Sequence, residues 1–179
     1  MTLRFYRLAA SDPRPAAGHV VSAPYRLDWW RPGLLRAIPP GCRPTPALVW
    51  WACHYAGVFR NRGYQVAAIV HDATGRASHR SSIFPGYFRF PFMDRDDLQV
   101  GDTWTAEDQR GRGLASGALR AIAERFHGAR TLWYLTTEAN TASCAVAERC
   151  GFRLAGTGAK LPRLGLGVLG SYVITAKQS

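Results

Sequence analysis

The sequence TWTAEDQRGRGLA, from Thr103 to Ala115, decides how this chain is interpreted. Its first residues have strand character, and its centre holds two closely spaced glycines. After Gly113, apolar residues recur at intervals of three and four up to Phe126, and Gly128 then ends the pattern. This periodicity predicts an amphipathic helix. The stretch therefore predicts a strand that leaves a sheet, passes through a glycine-rich loop and enters a helix.

The loop between strand and helix is suited to binding phosphate groups. The first turn of a helix offers N–H groups without a main-chain acceptor and the positive end of the helix dipole. Gly111 and Gly113 allow a ligand to approach the backbone closely. The loop lacks the Gly-Lys-Ser/Thr sequence of a P-loop, and Ser116 stands where the dinucleotide-binding fingerprint needs its last glycine. Both common nucleotide-binding motifs are thereby excluded.

The elements around this stretch predict one mixed α/β (α+β) domain over residues 1–179. The Trp- and Pro-rich stretch up to Pro46 is expected to hold short helices and loops. A helix over 47–60 is expected to bury a face containing Leu48, Tyr55 and Phe59, and a second short helix is predicted over 142–150. The remaining predicted strands cover 1–8, 64–70, 78–84, 98–105 and 131–137, one that begins at 151–154, and 170–175.

Composition limits the kinds of partner and the cellular compartment expected for the protein. The chain has 179 residues, 47% of them hydrophobic, and a formal net charge of +11, which favours a polyanionic partner such as nucleic acid, an anionic membrane or a phosphate-rich cofactor. No apolar run approaches the roughly 20 residues of a membrane span, and the N-terminal residues lack a signal-peptide pattern. Four cysteines without CxxC spacing and scattered histidines indicate a reducing compartment, with the cytoplasm as default, and no metal site.

Two blocks of the sequence resemble signatures of the GCN5-related N-acetyltransferase (GNAT) superfamily. Arg110-x-x-Gly113-x-Ala115 matches the pattern [Gln/Arg]-x-x-Gly-x-[Gly/Ala] and lies between a strand and a helix, as in that family. Residues 140–143 and 148–152 look like the family's Asn-x-x-Ser followed by Glu-Lys-x-Gly-Phe. The resemblance covers roughly residues 97–156. It implies a mostly antiparallel central sheet with a splayed pair of parallel strands, flanked by helices.

The resemblance also implies that acetyl-CoA is the acetyl donor and a primary amine the acceptor, joined by direct attack in a ternary complex. Trp104 and Thr105 would hold the pantetheine arm along the open edge of a bulged strand, and Asn140 would contact the arm from the other side. Either Arg110 or Arg112 would be available to the 3′-phosphate. Backbone N–H groups on the pyrophosphate would come from Arg110, Gly111, Arg112, Gly113, Leu114 and Ala115.

Amine acetylation needs a neutral nucleophile, stabilisation of the oxyanion and a departing thiolate. Asp102 is the first candidate for the base, because relatives often use a carboxylate, or water held by polar side chains, on this strand. Asp97 and Glu107 are the second and third candidates. The alternative explanation is that residues 100–103 form a tight turn, for which Gly-Asp is a signal. The oxyanion is expected at a backbone N–H near Trp104 or Thr105.

The group that assists the leaving thiolate is less obvious. Many relatives carry a tyrosine four residues before the glycine of Gly-Phe, and here that position is Ala147. Water, Ser143 or Tyr134 remain for this role, since a thiolate with a parent pKa near 8.5 is a fair leaving group. The structural alternatives are a helix-start hydroxyl for Ser143 and a core aromatic for Tyr134. Cys144 and Cys150 are expected to be packed thiols rather than nucleophiles.

Several functions remain open at this point. A basic surface favours a small anionic amine or an amino sugar as acceptor, and a protein or peptide amine is the alternative. Four tryptophans, Trp29, Trp30, Trp50 and Trp51, either line the acceptor pocket or belong to the core. An inactive acyl-CoA sensor keeps the same fold. A basic nucleic-acid-binding module is the different class, disfavoured because the arginines are dispersed and no RRM, KH or zinc signature occurs. The assembly is left open, a homodimer being one option.

Overall fold

Eight strands and three α-helices make up the part of the chain that the structure, a computed structural model, describes: residues 1–14, 21–163 and 166–177, without the side chains of 163 and 166–169. The strands are β1 (Leu3–Leu8), β2 (Tyr25–Trp30), β3 (Gln65–His71), β4 (Ala77–Pro85), β5 (Leu98–Thr105), β6 (Leu132–Thr137), β7 (Arg153–Arg163) and β8 (Leu166–Lys177). The helices are α1 (Pro44–Tyr55), α2 (Leu114–Phe126) and α3 (Thr141–Arg149), and a 3-10 turn at Glu107–Gln109 precedes α2.

All eight strands belong to one sheet in the order β2-β3-β4-β5-β6-β1-β7-β8. Neighbouring strands are antiparallel except β5 and β6, which are parallel and pair only from Leu98 opposite Leu132 to Val100 opposite Tyr134. This architecture confirms the predicted fold class: a mostly antiparallel sheet with one parallel pair, flanked by helices. The predicted strands at 64–70, 78–84, 98–105 and 131–137 correspond to β3 to β6.

Each face of the sheet carries its own apolar core. On one face α2 and α3 pack against the central strands, and Ala118 and Ile122 of α2 and Ala147 of α3 are fully buried there. On the other face lie α1 and the segment that follows β4, with Phe84 and Trp133 among the buried residues. The period of α2 in the sequence is thereby explained, because one stripe of that helix faces the sheet and the rest faces solvent.

The prediction for α1 is wrong in its bounds and in its buried face. The helix begins at Pro44, since proline is well tolerated in the first helical turn, and it ends at Tyr55, shortly before Gly57 adopts a φ of 70°. Leu48 is 46% exposed, and Phe59 is buried but lies beyond the helix. Apolar residues surround α1 on all sides, so the three- and four-residue spacing could not single out the face that packs.

The expectation of only helices and loops before Pro46 is also wrong. Residues Tyr25–Trp30 form β2, an edge strand that pairs antiparallel with β3 from Tyr25 opposite His71 to Trp30 opposite Val66. Alternate side chains of β2 serve opposite faces: Trp29 packs against one apolar core and Trp30 belongs to the other. The alternation of apolar and charged residues in 25–29 is that of a strand, but the many Pro, Gly and Trp residues around it indicated irregular structure instead.

Candidate functional site

A bulge interrupts β5 at the point where it parts from β6. Arg80 pairs with Trp104 and Ser82 with Gly101, so Ser81 alone faces two residues, Asp102 and Thr103. Asp102 has a φ of 44°, in the left-handed region that aspartate tolerates better than most residues. The Gly101-Asp102 pair therefore lies within a strand rather than in a tight turn. From Gly101 onward, no pairing to β6 is found in the described chain, which leaves one edge of β5 open.

The glycine loop has free space where the sequence predicts a ligand. Gly111 and Gly113 have φ angles of 78° and 75°, and a Cβ built on either would meet nothing within 4 Å. Gly113 is the N-cap of α2, and the first bond of the helical ladder runs from the Gly117 N–H to the Gly113 carbonyl at 2.9 Å. The N–H groups of Leu114 and Ala115 precede that ladder, so they are available to an anion.

The loop is held in place by β2, a contact that the sequence did not indicate. The hydroxyl of Tyr25 donates to Gln109 Oε1 at 2.5 Å, and Arg112 Nη1 donates to the same hydroxyl at 3.5 Å. Tyr25 also meets the ring of His71 edge-on. The Arg110 side chain is exposed, and its Nη1 atom lies 3.8 Å from Glu107 Oε1. Tyr25 thus anchors the loop to β2.

A cleft of about 340 Å³ opens between the diverging strands, and we call it the splay cleft. It brings together six of the residues singled out in the sequence. Its lining consists of Thr103, Trp104, Thr105, Arg110, Ala115, Tyr134, Ala142, Ser143 and Val146. The strand edge, the start of α2 and the start of α3 thus face a common space.

Tyr134 is the phenol of the splay cleft. Its side chain is buried, and this burial raises the pKa of the phenol, while the hydroxyls of Ser143 and Thr103 act in the opposite direction. A protonated phenol beside two other hydroxyls can donate a hydrogen bond into the cleft. Ala147, on α3, is fully buried and does not line the cleft. The phenol in the cleft therefore comes from Tyr134 on β6, and not from position 147.

Asn140 has a structural task at the start of α3. Its Oδ1 accepts the N–H of Ser143 at 3.1 Å, the usual contact of an N-cap residue. The side chain of Asn140 also lines a second cavity, described below. Cys144 and Cys150 are buried, and burial raises the pKa of the Cys150 thiol, which suits the expected packed thiols.

An ion pair fixes the carboxylate of Asp102. Nη2 of Arg80 lies 3.3 and 3.4 Å from the two carboxylate oxygens, and Nη1 donates to the Gly41 carbonyl at 3.2 Å. The Arg80 guanidinium also lies over the ring of Trp104, 5.4 Å from its centroid. The side chain of Arg80 is 11% exposed and that of Asp102 is 41% exposed. Arg80 gave no signal in the sequence, because a lone arginine in a strand has no motif around it.

The other two candidate bases lie elsewhere. Asp97 is buried and accepts hydrogen bonds from Trp133 Nε1 at 2.8 Å and from the Asp94 N–H at 3.0 Å, which is a structural role. Glu107 has a side chain that is 91% exposed on the 3-10 turn. Of the three carboxylates, Asp102 is the one beside the bulge.

A second cavity of about 680 Å³, which we call the aromatic cavity, adjoins the bulge from the other side. Gly101 and Asp102 line it, whereas the next residue, Thr103, lines the splay cleft. Of the four tryptophans considered above, Trp50 is in the wall of the aromatic cavity. Trp30 is core, and the Trp51 indole donates to a backbone carbonyl. Consecutive residues of one strand thus separate two cavities.

A buried chain of hydrogen bonds runs beneath the bulge. His79 Nδ1 lies 2.8 Å from Thr105 Oγ1, its Nε2 lies 3.0 Å from Ser81 Oγ, and Ser81 Oγ lies 3.4 Å from Thr103 Oγ1. Burial, with a contribution from the Arg80 charge, lowers the pKa of His79 to about 4. The neutral ring therefore donates from one nitrogen and accepts at the other. The sequence gave no sign of these contacts, because its histidines are scattered and belong to no motif.

The sequence matches the family model of the GNAT acetyltransferase domain over residues 15–153. The chain therefore belongs to the GNAT acetyltransferase family, in agreement with the resemblance found in the two sequence blocks. A search of curated proteins gave no significant match.

Solved structures support the fold. A tandem GNAT protein from the clavulanic acid biosynthesis pathway is 20% identical, with a TM-score of 0.57, and the superposition covers 86% of this chain and 50% of that protein. A GCN5-related N-acetyltransferase from Sphaerobacter thermophilus is 14% identical with a TM-score of 0.58, covering 87% and 49%. This chain spans about half the length of those structures. At these identities the similarity concerns the fold alone.

Two features are absent from the residues that the structure describes. Among them, no helix combines the length and the apolar character that crossing a bilayer requires. The same residues contain no group of three or more His, Cys, Asp or Glu side chains placed to hold a metal ion.

Proposed function

We propose that this protein is an N-acetyltransferase that moves the acetyl group of acetyl-CoA directly to a primary amine, with both substrates bound together. The observation that carries the proposal is the open edge of β5 from Gly101 to Thr105. An exposed strand edge can pair with an extended chain that carries amide groups, and the pantetheine arm is such a chain. Membership of the acetyltransferase family supports the same activity.

The start of α2 is the proposed site of the pyrophosphate. Gly111 and Gly113 leave free space next to their backbone. The N–H groups of Leu114 and Ala115 come before the first hydrogen bond of the helix, so they have no carbonyl acceptor within it. The helix dipole adds attraction for the negative charge. In this arrangement Arg112, or Arg110 beside it, meets the 3′-phosphate.

The pantetheine arm is proposed to lie in the splay cleft. Trp104 and Thr105 belong to the open edge of β5 on one side of it. Asn140, the N-cap of α3, lines the aromatic cavity and not the splay cleft, so it would contact the arm from the other side, at its acetyl end. The acetyl group then reaches the bulge, where β5 faces both the splay cleft and the aromatic cavity.

The reacting groups follow from that placement. Asp102 takes a proton from the incoming ammonium, directly or through water, and the neutral nitrogen attacks the thioester carbonyl. A backbone N–H of Trp104 or Thr105 stabilises the charge on the carbonyl oxygen. When the C–S bond breaks, the thiolate of CoA receives a proton from Tyr134, whose phenol is kept protonated by burial. The second proton, which the nitrogen loses as the amide forms, returns to Tyr134 through water. Ser143 is the neighbouring hydroxyl that can share this role.

The aromatic cavity is the proposed acceptor site. Its volume of about 680 Å³ suits a small molecule, and Arg89 and Lys160 give it positive charge. A small anionic amine is the preferred acceptor, with an amino sugar next. A protein or peptide amine is the alternative, and would need only its terminal part in the cavity.

The alternative activity within the same fold is an acyl-CoA sensor without turnover. It is favoured by the ion pair in which Arg80 already engages the Asp102 carboxylate, and by Ala147 at the position where relatives carry tyrosine. Binding of acetyl-CoA without release of thiol in the presence of amines would identify the sensor.

The first experiment is calorimetric titration of acetyl-CoA into the wild type and into Gly113→Glu. The new side chain puts bulk and negative charge where the pyrophosphate is expected, so affinity should fall at least about 100-fold. Gly128→Glu is the matched control, because Gly128 has a φ of 73° and equally open surroundings at the far end of α2. It should bind like the wild type.

Turnover is then measured as thiol release across a panel of amines. Thiol release that depends on an amine supports the transferase. A wild type without affinity for any acyl-CoA would contradict the proposal, as would equal loss of binding in both glycine variants.

A further inference from the structure

Five aromatic side chains line the aromatic cavity. Trp50 comes from α1, Phe84 from β4, Tyr87 and Phe90 from the segment after β4, and Tyr172 from β8. The centroids of Trp50 and Phe84 are 4.7 Å apart, and the stacked rings of Phe90 and Tyr172 are 5.2 Å apart. Rings that pack on one another in this way give a stiff, flat surface, which favours a planar or large apolar ligand.

Two cations flank one of these rings. The Arg89 guanidinium is 5.4 Å from the centroid of Tyr172, and the Lys160 ammonium is 5.9 Å from the same point. Arg89 is anchored to β8, because its Nε donates to the Gly170 carbonyl at 3.2 Å and its own carbonyl accepts the Tyr172 N–H at 2.8 Å. The arginine is therefore held in the wall of the cavity rather than extended into solvent.

Neither cation has a carboxylate partner within the part of the chain that the structure describes. Two positive charges beside one ring repel each other, and an anion bound between them would replace this repulsion with two attractive interactions. Arg89 can also offer a carboxylate two parallel N–H groups, which a lysine cannot. The rim of the aromatic cavity thus has the charge of an anion site.

The same cavity has one acidic residue in its described lining, Asp102 at the bulge. Its carboxylate is partly exposed, so it can attract a cationic amine to the edge of β5. The lining of the cavity therefore contains an acidic residue for an ammonium group, two cations for an anion, and aromatic rings.

From these contacts we infer that the acceptor is an amine attached to an aromatic or large apolar body that also carries a carboxylate. Its amine lies at Asp102, its body against the ring wall, and its carboxylate on Arg89 and Lys160. This inference rests on the proposed acetyl transfer and narrows its acceptor to one chemical class.

The test uses pairs of amines that differ only in the carboxylate. One pair is 4-(aminomethyl)benzoate and benzylamine, and the other is phenylalanine and 2-phenylethylamine. In the wild type we expect kcat/KM to be at least about tenfold higher for the better of the two carboxylates than for its uncharged partner. In Arg89→Gln and Lys160→Gln that ratio should fall towards one.

Arg95→Gln is the control variant, since Arg95 is exposed, is not in the lining of the cavity, and loses the same charge. It should retain the wild-type ratio. A third acceptor, 4-aminobutyrate, has both charges but no ring and should be at least about tenfold poorer than 4-(aminomethyl)benzoate. The inference is overturned if the carboxylate gives no advantage, if both charge variants keep that advantage, or if the acceptor without a ring performs equally well.

A direct measurement of binding tests the acceptor class independently of the proposed catalysis. Calorimetry with CoA present measures the affinity of 4-(aminomethyl)benzoate without any reaction. If the amine binds, loses affinity in Arg89→Gln and yet is never acetylated, the cavity assignment stands and the proposed transferase activity fails. If it neither binds nor reacts while other amines are acetylated, the transferase stands and the acceptor class is wrong.

Discussion

The Nδ1 atom of His79 lies 2.8 Å from the Oγ1 atom of Thr105, and this bond ties the interior of β4 to the strand edge that faces the splay cleft. Through Ser81, the other nitrogen of the ring connects to Thr103. Both threonines of the cleft are thus held from behind by one buried, neutral imidazole.

The stability of the protein should depend on pH through His79. Its pKa in the folded state is about 4, below the ordinary value of 6.5, so the unfolded chain binds more protons between these values. The stabilisation is present above pH 6.5 and is lost as the pH falls from 6.5 towards 4, by about 2 to 3 kcal/mol. Urea denaturation of the wild type and of His79→Gln at pH 7 and pH 4.5 measures the difference. Parallel loss in both proteins would refute this assignment.

Replacing the candidate base should separate chemistry from donor binding. Asp102→Asn keeps the shape of the side chain but cannot accept the proton, so kcat should fall about 100-fold. The Kd of acetyl-CoA should change less than about twofold, because the carboxylate lines the aromatic cavity and not the splay cleft. Glu107→Gln is the control and should leave kcat intact. If Glu107→Gln is the slower variant, the base has been assigned to the wrong residue.

Removing one hydroxyl from the splay cleft tests the role of Tyr134. Tyr134→Phe keeps the ring in the core, so the free energy of unfolding should change by no more than about 1 kcal/mol. Loss of the proton donor should lower kcat about tenfold. Ser143→Ala, measured beside it, should have the smaller effect if the phenol is the main donor. Equal kcat in wild type and Tyr134→Phe would leave water as the proton source.

The anchor of the glycine loop should influence donor affinity. Tyr25→Phe removes the hydroxyl that contacts both Gln109 and Arg112, so the loop has to be ordered when acetyl-CoA binds. A three- to tenfold rise in the Kd of acetyl-CoA is expected, about the value of one hydrogen bond. Tyr55→Phe, at the exposed end of α1, removes the same atom without touching the loop and should bind normally.

Local patterns in the sequence were sufficient for part of this structure. The helix α2, the glycine loop before it and the strand that leads into that loop depend on neighbours within about four positions, and periodicity records such neighbours directly. The splayed strand pair was predicted in a different way, from the resemblance of two sequence blocks to one family.

Contacts between distant segments could not be predicted. Tyr25 and Gln109 are 84 residues apart, and Arg80 and Asp102 are 22 apart, so no spacing in the sequence signals either pair. The ring wall of the aromatic cavity likewise collects side chains from α1, β4 and β8. Composition showed that aromatic residues were abundant, but only the packing of the sheet decides which of them share a surface.

The extra residue at Asp102 is a local insertion in β5. Side chains of a strand alternate between its two faces, and here one inserted position changes that alternation halfway along β5. Deleting this residue would restore one-to-one pairing with β4, and Gly101 and Trp104 would keep their partners, so the side chains beyond the bulge would stay on their faces. The deletion would remove the left-handed step at Asp102 and the carboxylate that Arg80 binds. The bulge is thus an insertion that the sheet absorbs locally, and its loss should cost the site its carboxylate while the rest of the sheet keeps its register.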